Sequence, residues 1–163
     1  NAVSFQIIEQ DSDHIVIDIR MNTMVQVGTK PECEYDGCRQ CNSVDVPTLH
    51  KSSELSEPML PWKSTTVLLP FDVDRISVSD ANVELSVQQP GIDAESVCRA
   101  VYQDEGTPTP DGPDTGRLPW KHFAVSVTMQ HKRLKYFKVS FYPVVLDYDT
   151  DTEKVANSVE LRI

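Results

Sequence analysis

The amino-acid sequence predicts an all-β protein, an antiparallel β-sandwich of about eight or nine strands with a long Pro-rich loop. Apolar residues recur at every second position in several segments, which is the spacing of strands that bury one face. No stretch of roughly 11 residues carries the i, i+3, i+4, i+7 spacing of an amphipathic helix, and the apolar segments are rich in β-branched residues. At 163 residues the chain is long enough to bury a core, and we expect one domain over residues 1–163.

The clearest predicted strand covers residues 15–21, where Ile15, Ile17 and Ile19 alternate with the polar residues Asp18 and Arg20. Further strands with the same alternation are predicted around residues 76–78, 83–87, 125–129, 137–141 and 159–163. The acidic run at 147–153 separates the last two patterns, and we interpret it as a hairpin turn. Such strands are typical of antiparallel sheets that place one face in the core.

Two excursions without this alternation are expected at about residues 28–61 and 88–121. The second contains five Pro and four Gly, a composition that suits neither sheet ladders nor helices. Connections longer than about 12 to 15 residues are usually functional or disordered. We expect the first part of this excursion to pack against the body of the protein through Val97, Val101 and Tyr102.

The charge balance restricts the classes of partner. Lys and Arg number 15 and Asp and Glu number 25, which leaves a formal net charge of −10. Such a surface repels the phosphates of nucleic acids and of anionic lipids. No apolar run approaches the roughly 20 residues of a membrane span. The expected partners therefore include neither nucleic acid nor a membrane.

The four cysteines predict the compartment. Cys33, Cys38 and Cys41 lie within nine residues, and Cys98 is far along the chain. Two disulfides, a zinc site built on the Cys38–Cys41 pair and free thiols are all possible on this spacing. We favour disulfides, with one bridge inside the cluster and one to Cys98. Disulfides persist in oxidising surroundings, so we expect a secreted, periplasmic or cell-surface protein.

Catalytic and metal motifs give no support for an enzyme. The GxSxG, P-loop, GxGxxG and HExxH patterns are absent from the chain. The alternating Asp147, Asp149 and Asp151 offer a weak calcium candidate, but they lack the Gly and the spacing of an EF-hand loop, and a solvated hairpin tip explains them better. We therefore expect no metal, no cofactor and no catalytic residue in this chain.

One concentration of positive charge stands out on the acidic chain, formed by Lys132, Arg133, Lys135 and Lys138. It could be a charged edge strand, since exposed lysines discourage edge-to-edge aggregation. It could also be a docking stripe for an acidic partner. We favour the edge strand at this point.

Two segments resemble the propeptides of gingipain-type cysteine peptidases. The first runs from Glu57 to Pro70, EPMLPWKSTTVLLP, and continues into the predicted strands near Ile76 and Leu85. The second runs from Tyr136 to Thr150, YFKVSFYPVVLDYDT, and leads to the final strand. Together these segments cover roughly residues 57–88 and 122–163.

The resemblance implies a β-sandwich prodomain that assists the folding of a caspase-like cysteine peptidase and inhibits it by occluding its active-site cleft. The partner would be the catalytic domain of the cognate peptidase. Prodomains of this family place a basic side chain in a specificity pocket, and the resemblance points to Arg99, after the strand that ends in Pro90, with Arg117 as second candidate. The alternative is a secreted β-sandwich adhesion or ligand-binding module of a surface protein, which would have the same composition.

Overall fold

A computed structural model describes residues 2–34, 37–51, 58–86, 94–99, 121–147 and 152–163. The strands are β1 (Val3–Gln10), β2 (Ile15–Met21), β3 (Gln26–Glu34), β4 (Gly37–Asp45), β5 (His50–Lys51), β6 (Pro61–Leu69), β7 (Asp80–Leu85), β8 (Phe123–Val125), β9 (Met129–His131), β10 (Leu134–Phe141), β11 (Val144–Asp147) and β12 (Thr152–Arg162). The described residues also include one short 3-10 turn, Ala94–Ser96, and contain no α-helix. The predicted all-β class is confirmed, with more strands than the expected eight or nine.

Two five-stranded sheets carry the fold. The first has the order β1-β2-β12-β11, with β7 also paired to β12, and the second has the order β5-β6-β10-β8, with β9 also paired to β10. All of these pairs are antiparallel, and β3 and β4 form a separate two-stranded sheet. We call the two large sheets the first sheet and the second sheet.

The main core lies between the two large sheets, because the alternate residues of their strands meet there. The first sheet contributes Ile17, Ile19 and Leu161, and the second contributes Phe137 and Val139, all of them essentially inaccessible to solvent. Period-two alternation in β2, β10 and β12 therefore identified the buried face correctly. The arrangement is a sandwich in which the polar alternates Lys138, Glu160 and Arg162 are exposed, whereas Asp18 and Ser140 are buried.

A second apolar cluster lies beside the sandwich and joins elements that are distant in the sequence. Its buried members are Val44, Leu60, Ala94, Val97, Val144, Leu146 and Val155. The predicted anchoring of the 88–121 excursion through Val97 is confirmed by its full burial in this cluster. Val101, Tyr102 and the rest of residues 100–120 lie outside the described part of the chain.

The excursion predicted at 28–61 is partly regular, which corrects the sequence analysis. Residues 26–45 form the β3–β4 hairpin, with Val27 opposite Val44 and Cys33 opposite Cys38. Most of its residues are exposed, so few of them need to be apolar, and the period-two signal is missing. Short β5 then pairs with the start of β6, where His50 faces Trp62.

Two predicted strands are placed differently. Residues 76–78 are not in a strand, and β7 begins only at Asp80. The predicted strand at 125–129 is divided into β8 and β9, and both parts pair with β10. Between them the Ser126 hydroxyl accepts the backbone N–H of Lys138 at 2.8 Å, which takes a ladder donor and interrupts the pairing.

Two further expectations concern β10 to β12. The hairpin predicted around 147–153 is confirmed, because β11 and β12 pair antiparallel with Asp147 opposite Thr152, while residues 148–151 between them lie outside the described residues. The edge-strand interpretation of the basic run is wrong. Lys135 and Lys138 belong to β10, which is paired on both sides and lies inside the second sheet.

No helix in the described residues is long and apolar enough to cross a membrane.

Candidate functional site

Two disulfides organise the surroundings of the β3–β4 hairpin. Cys41 of β4 is joined to Cys98, across a sequence separation of 57 residues and a Cα–Cα distance of 4.9 Å. Cys33 and Cys38 close the tip of the hairpin, with their Cα atoms 4.0 Å apart. None of the four cysteines is free, so all four thiols are used in the arrangement that the spacing favoured.

The Cys41–Cys98 bridge fastens a short extended segment, residues 97–99, between two other stretches of backbone. The Cys98 N–H donates to the carbonyl of Asn42, and the Cys98 carbonyl accepts the N–H of Met59, both at 2.8 Å. Val97 forms a parallel bridge to Asn42, and Arg99 forms an antiparallel bridge to Pro58. The backbone leading into Arg99 is thus held as a strand on both sides.

Glu32 of β3 supplies a charged contact beneath this segment. Its side chain is only 5% exposed, and it pairs with the Arg39 guanidinium through Nε. The other carboxylate oxygen accepts the backbone N–H of Arg99. Burial opposes the ionisation of Glu32, but the hydrogen bonds from Arg39 and from the Arg99 amide outweigh it and hold the pKa of Glu32 below its ordinary value.

Arg39 extends the same network along the segment. Its terminal nitrogens donate to the carbonyls of Glu95 at 3.3 Å and Val97 at 3.4 Å. The Asn42 amide donates to the Ser96 hydroxyl at 2.8 Å. We call the five residues that hold the segment, together with their bonds, the Arg99 anchor; they are Glu32, Arg39, Cys41, Asn42 and Cys98.

The described chain resumes at Lys121, and it is again fixed at once. His122 is buried, its Nδ1–H donates to the Tyr142 carbonyl at 2.8 Å, and its own carbonyl accepts the Tyr142 N–H at 2.8 Å. Burial lowers the pKa of His122, and nearby Lys154 lowers it further, so the neutral imidazole is favoured. The 100–120 segment therefore leaves and re-enters the described structure at two firmly held positions.

The residues expected from the sequence are placed as follows. Arg99 is half-buried and belongs to the held segment, whereas Arg117 lies outside the described residues. Asp147 ends β11, and Asp149 and Asp151 also lie outside the described residues. Glu32 and Arg39 were missed. No sequence signal links Glu32 to position 99, which is 67 residues away, although charges beside clustered cysteines gave a partial indication.

A different trio of metal-ligating side chains meets at the turn between β1 and β2. Donor atoms of Glu9, Asp11 and His14 lie within 4.8 Å of one another. The His14 ring already pairs with both carboxylates, through Nε2 to Glu9 at 3.1 Å and through Nδ1 to Asp11 at 2.9 Å. Both carboxylates are exposed, and we assign no metal to this turn.

Comparison with known proteins finds similarity in fold among solved structures. No protein-family model and no curated protein matches the sequence. Among solved structures, the chain is similar to one chain of the complex of Porphyromonas gingivalis RgpB pro- and mature domains, with a TM-score of 0.54 and 12% identity over 97% of this chain and 82% of that chain.

It is also similar to the structure described as an insight into the zymogenic latency of gingipain K from Porphyromonas gingivalis. That match has a TM-score of 0.55 and 14% identity, and it covers 98% of this chain and 90% of the other. At such identities the agreement concerns the fold. The chain therefore resembles the gingipain prodomains in its fold, as its two sequence segments predicted.

Proposed function

We propose that this chain is the non-catalytic propeptide of a secreted gingipain-type cysteine peptidase. It acts as an intramolecular chaperone for the catalytic domain and as an inhibitor that occludes the active-site cleft. The observation that carries the proposal is the Arg99 anchor, which presents an extended segment on a sandwich of the gingipain-prodomain fold. The partner is the catalytic domain of the cognate peptidase.

Occlusion of a cleft by a peptide requires a segment that is ordered before it binds. A free chain loses conformational freedom when it is captured, and that loss weakens binding. In the Arg99 anchor the disulfide and the backbone bonds at Cys98 have already restricted the segment in the unbound domain. Extended segments are also the form in which peptides pair with binding clefts.

Arg99 is the residue that we propose to enter the specificity pocket, with Arg117 as second candidate. A guanidinium offers a planar set of donors that a carboxylate in a pocket can bind in a bidentate way. The Arg99 backbone is fixed by Glu32 and by the bridge to Pro58, so the position of its Cα is set by the domain itself. This supports Arg99 as the presented side chain.

Secretion is part of the proposal because both bridges require an oxidising compartment to form and persist. The structure pairs all four cysteines, and the anchor depends on one of the two bridges. A propeptide that folds with its disulfides in such a compartment can serve there as a template for the adjoining catalytic domain.

The decisive test compares Arg99→Ala with Arg117→Ala and with Arg75→Ala, an exposed arginine outside the anchor. We expect Arg99→Ala to raise the inhibition constant against the purified catalytic domain by about 30-fold or more, as loss of a buried charge-assisted contact typically does. Arg75→Ala should leave it unchanged. A wild-type domain that leaves the peptidase fully active at micromolar concentration would refute the inhibitory function. An unaffected Arg99 variant would instead refute the residue assignment.

The gene offers a second test, which also separates the proposal from the alternative of an adhesion or ligand-binding module. A propeptide function predicts that the reading frame encodes a cysteine peptidase domain, with its His-Gly and Cys residues, after residue 163. An adhesion module would be followed by other surface domains.

A further inference from the structure

The outer faces of the two large sheets differ in chemistry. On the first sheet, polar groups outside the core pair with one another. Arg20 Nε lies 2.6 Å from Asp18 Oδ2, and the Ser158 hydroxyl donates to Glu84 Oε2 at 3.3 Å. These polar groups are thus satisfied within the sheet.

The outer face of the second sheet is apolar toward one end. In the register, Tyr136 of β10 is opposite Leu68 of β6 on one side and opposite Met129 of β9 on the other. Their strand neighbours Val67 and Phe137 point into the core, so this row points outward. Leu68 is 61% exposed and Leu134, two residues before Tyr136, is 55% exposed.

Three cations border this apolar row. Lys132 and Arg133 form the turn between β9 and β10, and Lys138 follows Tyr136 on the same side of β10. All three are exposed, and no described carboxylate pairs with them. Nearby Asp74 is already engaged by Lys135, at 3.1 Å. We call Leu68, Met129, Leu134 and Tyr136 with Lys132, Arg133 and Lys138 the basic-apolar face.

The opposite end of the same strands is buried. Trp62 of β6, Ser140 of β10 and Tyr142 just beyond it are almost inaccessible. The exposure of Leu68 and Leu134 is therefore a local property of one end, and no described element covers it. Large exposed apolar residues grouped beside charged ones are typical of interaction surfaces.

We propose that the basic-apolar face docks on an acidic surface with an apolar centre on the catalytic domain, an inference that rests on the proposed function. The charge supports this occupant. On a chain of net charge −10, three exposed cations that pair with no carboxylate of the described residues lie beside an apolar row, and they complement carboxylates around apolar residues on a partner. Such complementarity guides association and register.

The face is separate from the Arg99 anchor. The anchored segment packs through Val97 in the cluster that contains Leu60, the residue before β6. Leu68 lies eight residues further along the chain, roughly 26 Å at the rise of an extended strand. When two separate contacts bind the same partner, the second forms within the complex already made by the first, and the overall affinity rises through the effective concentration. The basic-apolar face thus orients the sandwich, while the anchored segment enters the cleft.

The test uses the full 163-residue chain and the purified catalytic domain of the cognate peptidase. We expect Lys138→Glu to lower the association rate constant on the order of tenfold at low salt and to flatten its salt dependence. Leu68→Thr, which keeps a strand-forming residue, should weaken binding at least several-fold. The matched controls are Lys154→Glu and Leu85→Thr, the same changes at exposed positions of strands in the first sheet. They should bind within about twofold of wild type.

A footprint on the wild-type complex avoids any folding defect of a variant. Acetylation of lysines should be slowed by the catalytic domain at Lys132 and Lys138 and unchanged at Lys154. Equal protection at all three, or unchanged rates at Lys132 and Lys138 in a complex that inhibits, would overturn the docking face and leave the proposed function standing. A chain that does not bind the catalytic domain would overturn both. Wild-type dimers that Leu68→Thr dissociates would show that a second copy occupies the face.

Discussion

Glu32 and His122 show how single buried ionisable groups hold the two ends of the 100–120 segment. One is a carboxylate kept ionised by Arg39 and by the Arg99 amide, and the other is an imidazole kept neutral by burial. A buried charge is stable only with its partners, and removing one partner leaves the other unsatisfied. Both residues should therefore report on the integrity of the candidate site.

We expect Glu32→Gln to lower the stability of the domain by about 1 to 3 kcal/mol at neutral pH, since a charge-assisted hydrogen bond to Arg39 is lost. The pKa of Glu32 is lowered by folding, so its contribution is present above the ordinary glutamate pKa and is lost as the pH falls through the folded value. Urea unfolding at roughly pH 7 and pH 3 should show a smaller difference between variant and wild type at the lower pH. Equal losses of stability at the two pH values would contradict this assignment to Glu32. The control is Glu160→Gln, at an exposed position.

His122 gives a pH dependence in a different range. Its pKa is lowered by folding, so the unfolded chain takes up a proton first, and stability should fall as the pH drops below about 6.5. The Tyr142 carbonyl faces its Nδ1, and Lys154 is the nearby charge. In His122→Asn, whose amide can still donate to that carbonyl, the loss between about pH 7.5 and 5.5 should shrink. Melting temperatures measured across this pH range give the loss, and His131→Asn, at an exposed position, is the control. If the melting temperature of His122→Asn falls with pH as steeply as that of wild type, His122 is excluded as the cause.

The β3–β4 hairpin and residues 97–99 illustrate an element that is held by cross-links more than by its own apolar face. The hairpin contributes few buried side chains, chiefly Val44 and Cys41. Its attachment to the sandwich depends on the bridge to Cys98 and on the second apolar cluster. The two disulfides close chain segments of very different length, so they should differ in effect.

We expect replacement of Cys41 and Cys98 together by Ala to lower stability by about 4 kcal/mol and replacement of Cys33 and Cys38 by about 2 kcal/mol, from the chain entropy of the two loops. The first change should also loosen the Arg99 anchor and weaken inhibition more than its stability loss explains. Denaturant unfolding and inhibition constants at a temperature where both variants are folded provide the measurement. A larger effect from the Cys33–Cys38 pair would contradict the assignment of the anchor.

At the scale of the molecule, the main core is shared by both sheets, and the second cluster joins β4, β11, β12 and Leu60, just before β6, to residues 94–97. Because each sheet buries its inner face against the other, neither can lose its packing alone. The Cys41–Cys98 bridge ties the hairpin to this shared body. The contacts therefore favour a single cooperative unit.

We predict one two-state unfolding transition for the oxidised chain, as expected of a single domain over residues 1–163. Far-ultraviolet circular dichroism, which follows the strands, and near-ultraviolet signals, which follow buried aromatic packing such as that of Trp62, should give coincident midpoints. Two separate midpoints would show that the chain divides into independently stable units. Reduced protein is the comparison. In the reduced protein we expect the β3–β4 hairpin to unfold before the sandwich, because the bridge to Cys98 no longer attaches it.

Local pattern by itself determined the all-β class and the inner face of several strands. In residues 159–163 Val159 and Leu161 are buried whereas Glu160 and Arg162 are exposed, and the sequence records that difference at every second position. In β2 and at Ser140 of β10 the alternate residues are buried too, so there the pattern marks the face in the main core but not the covering of the other face. The acidic run between two alternating segments predicted the β11–β12 hairpin, and the apolar residues of the Pro-rich excursion predicted that Val97 packs against the body of the protein. Charge and cysteine content supplied the expectations for the compartment and for the classes of partner.

Tertiary structure alone showed the contacts that surround Arg99 and the exposed apolar row of the proposed docking face. Glu32, Arg39 and Arg99 come together only because one hairpin folds back onto a segment more than 50 residues away, and no short-range period encodes that approach. The hairpin escaped detection because both of its sides are largely solvated, so alternation had nothing to record. The sequence pattern does not distinguish Leu68 and Lys138 from other strand residues. Only the structure shows which end of the outer face of the second sheet is covered. A sequence pattern shows which of the two faces of a single strand is buried. It does not show which strands lie beside it, because that depends on the order in which the strands pair.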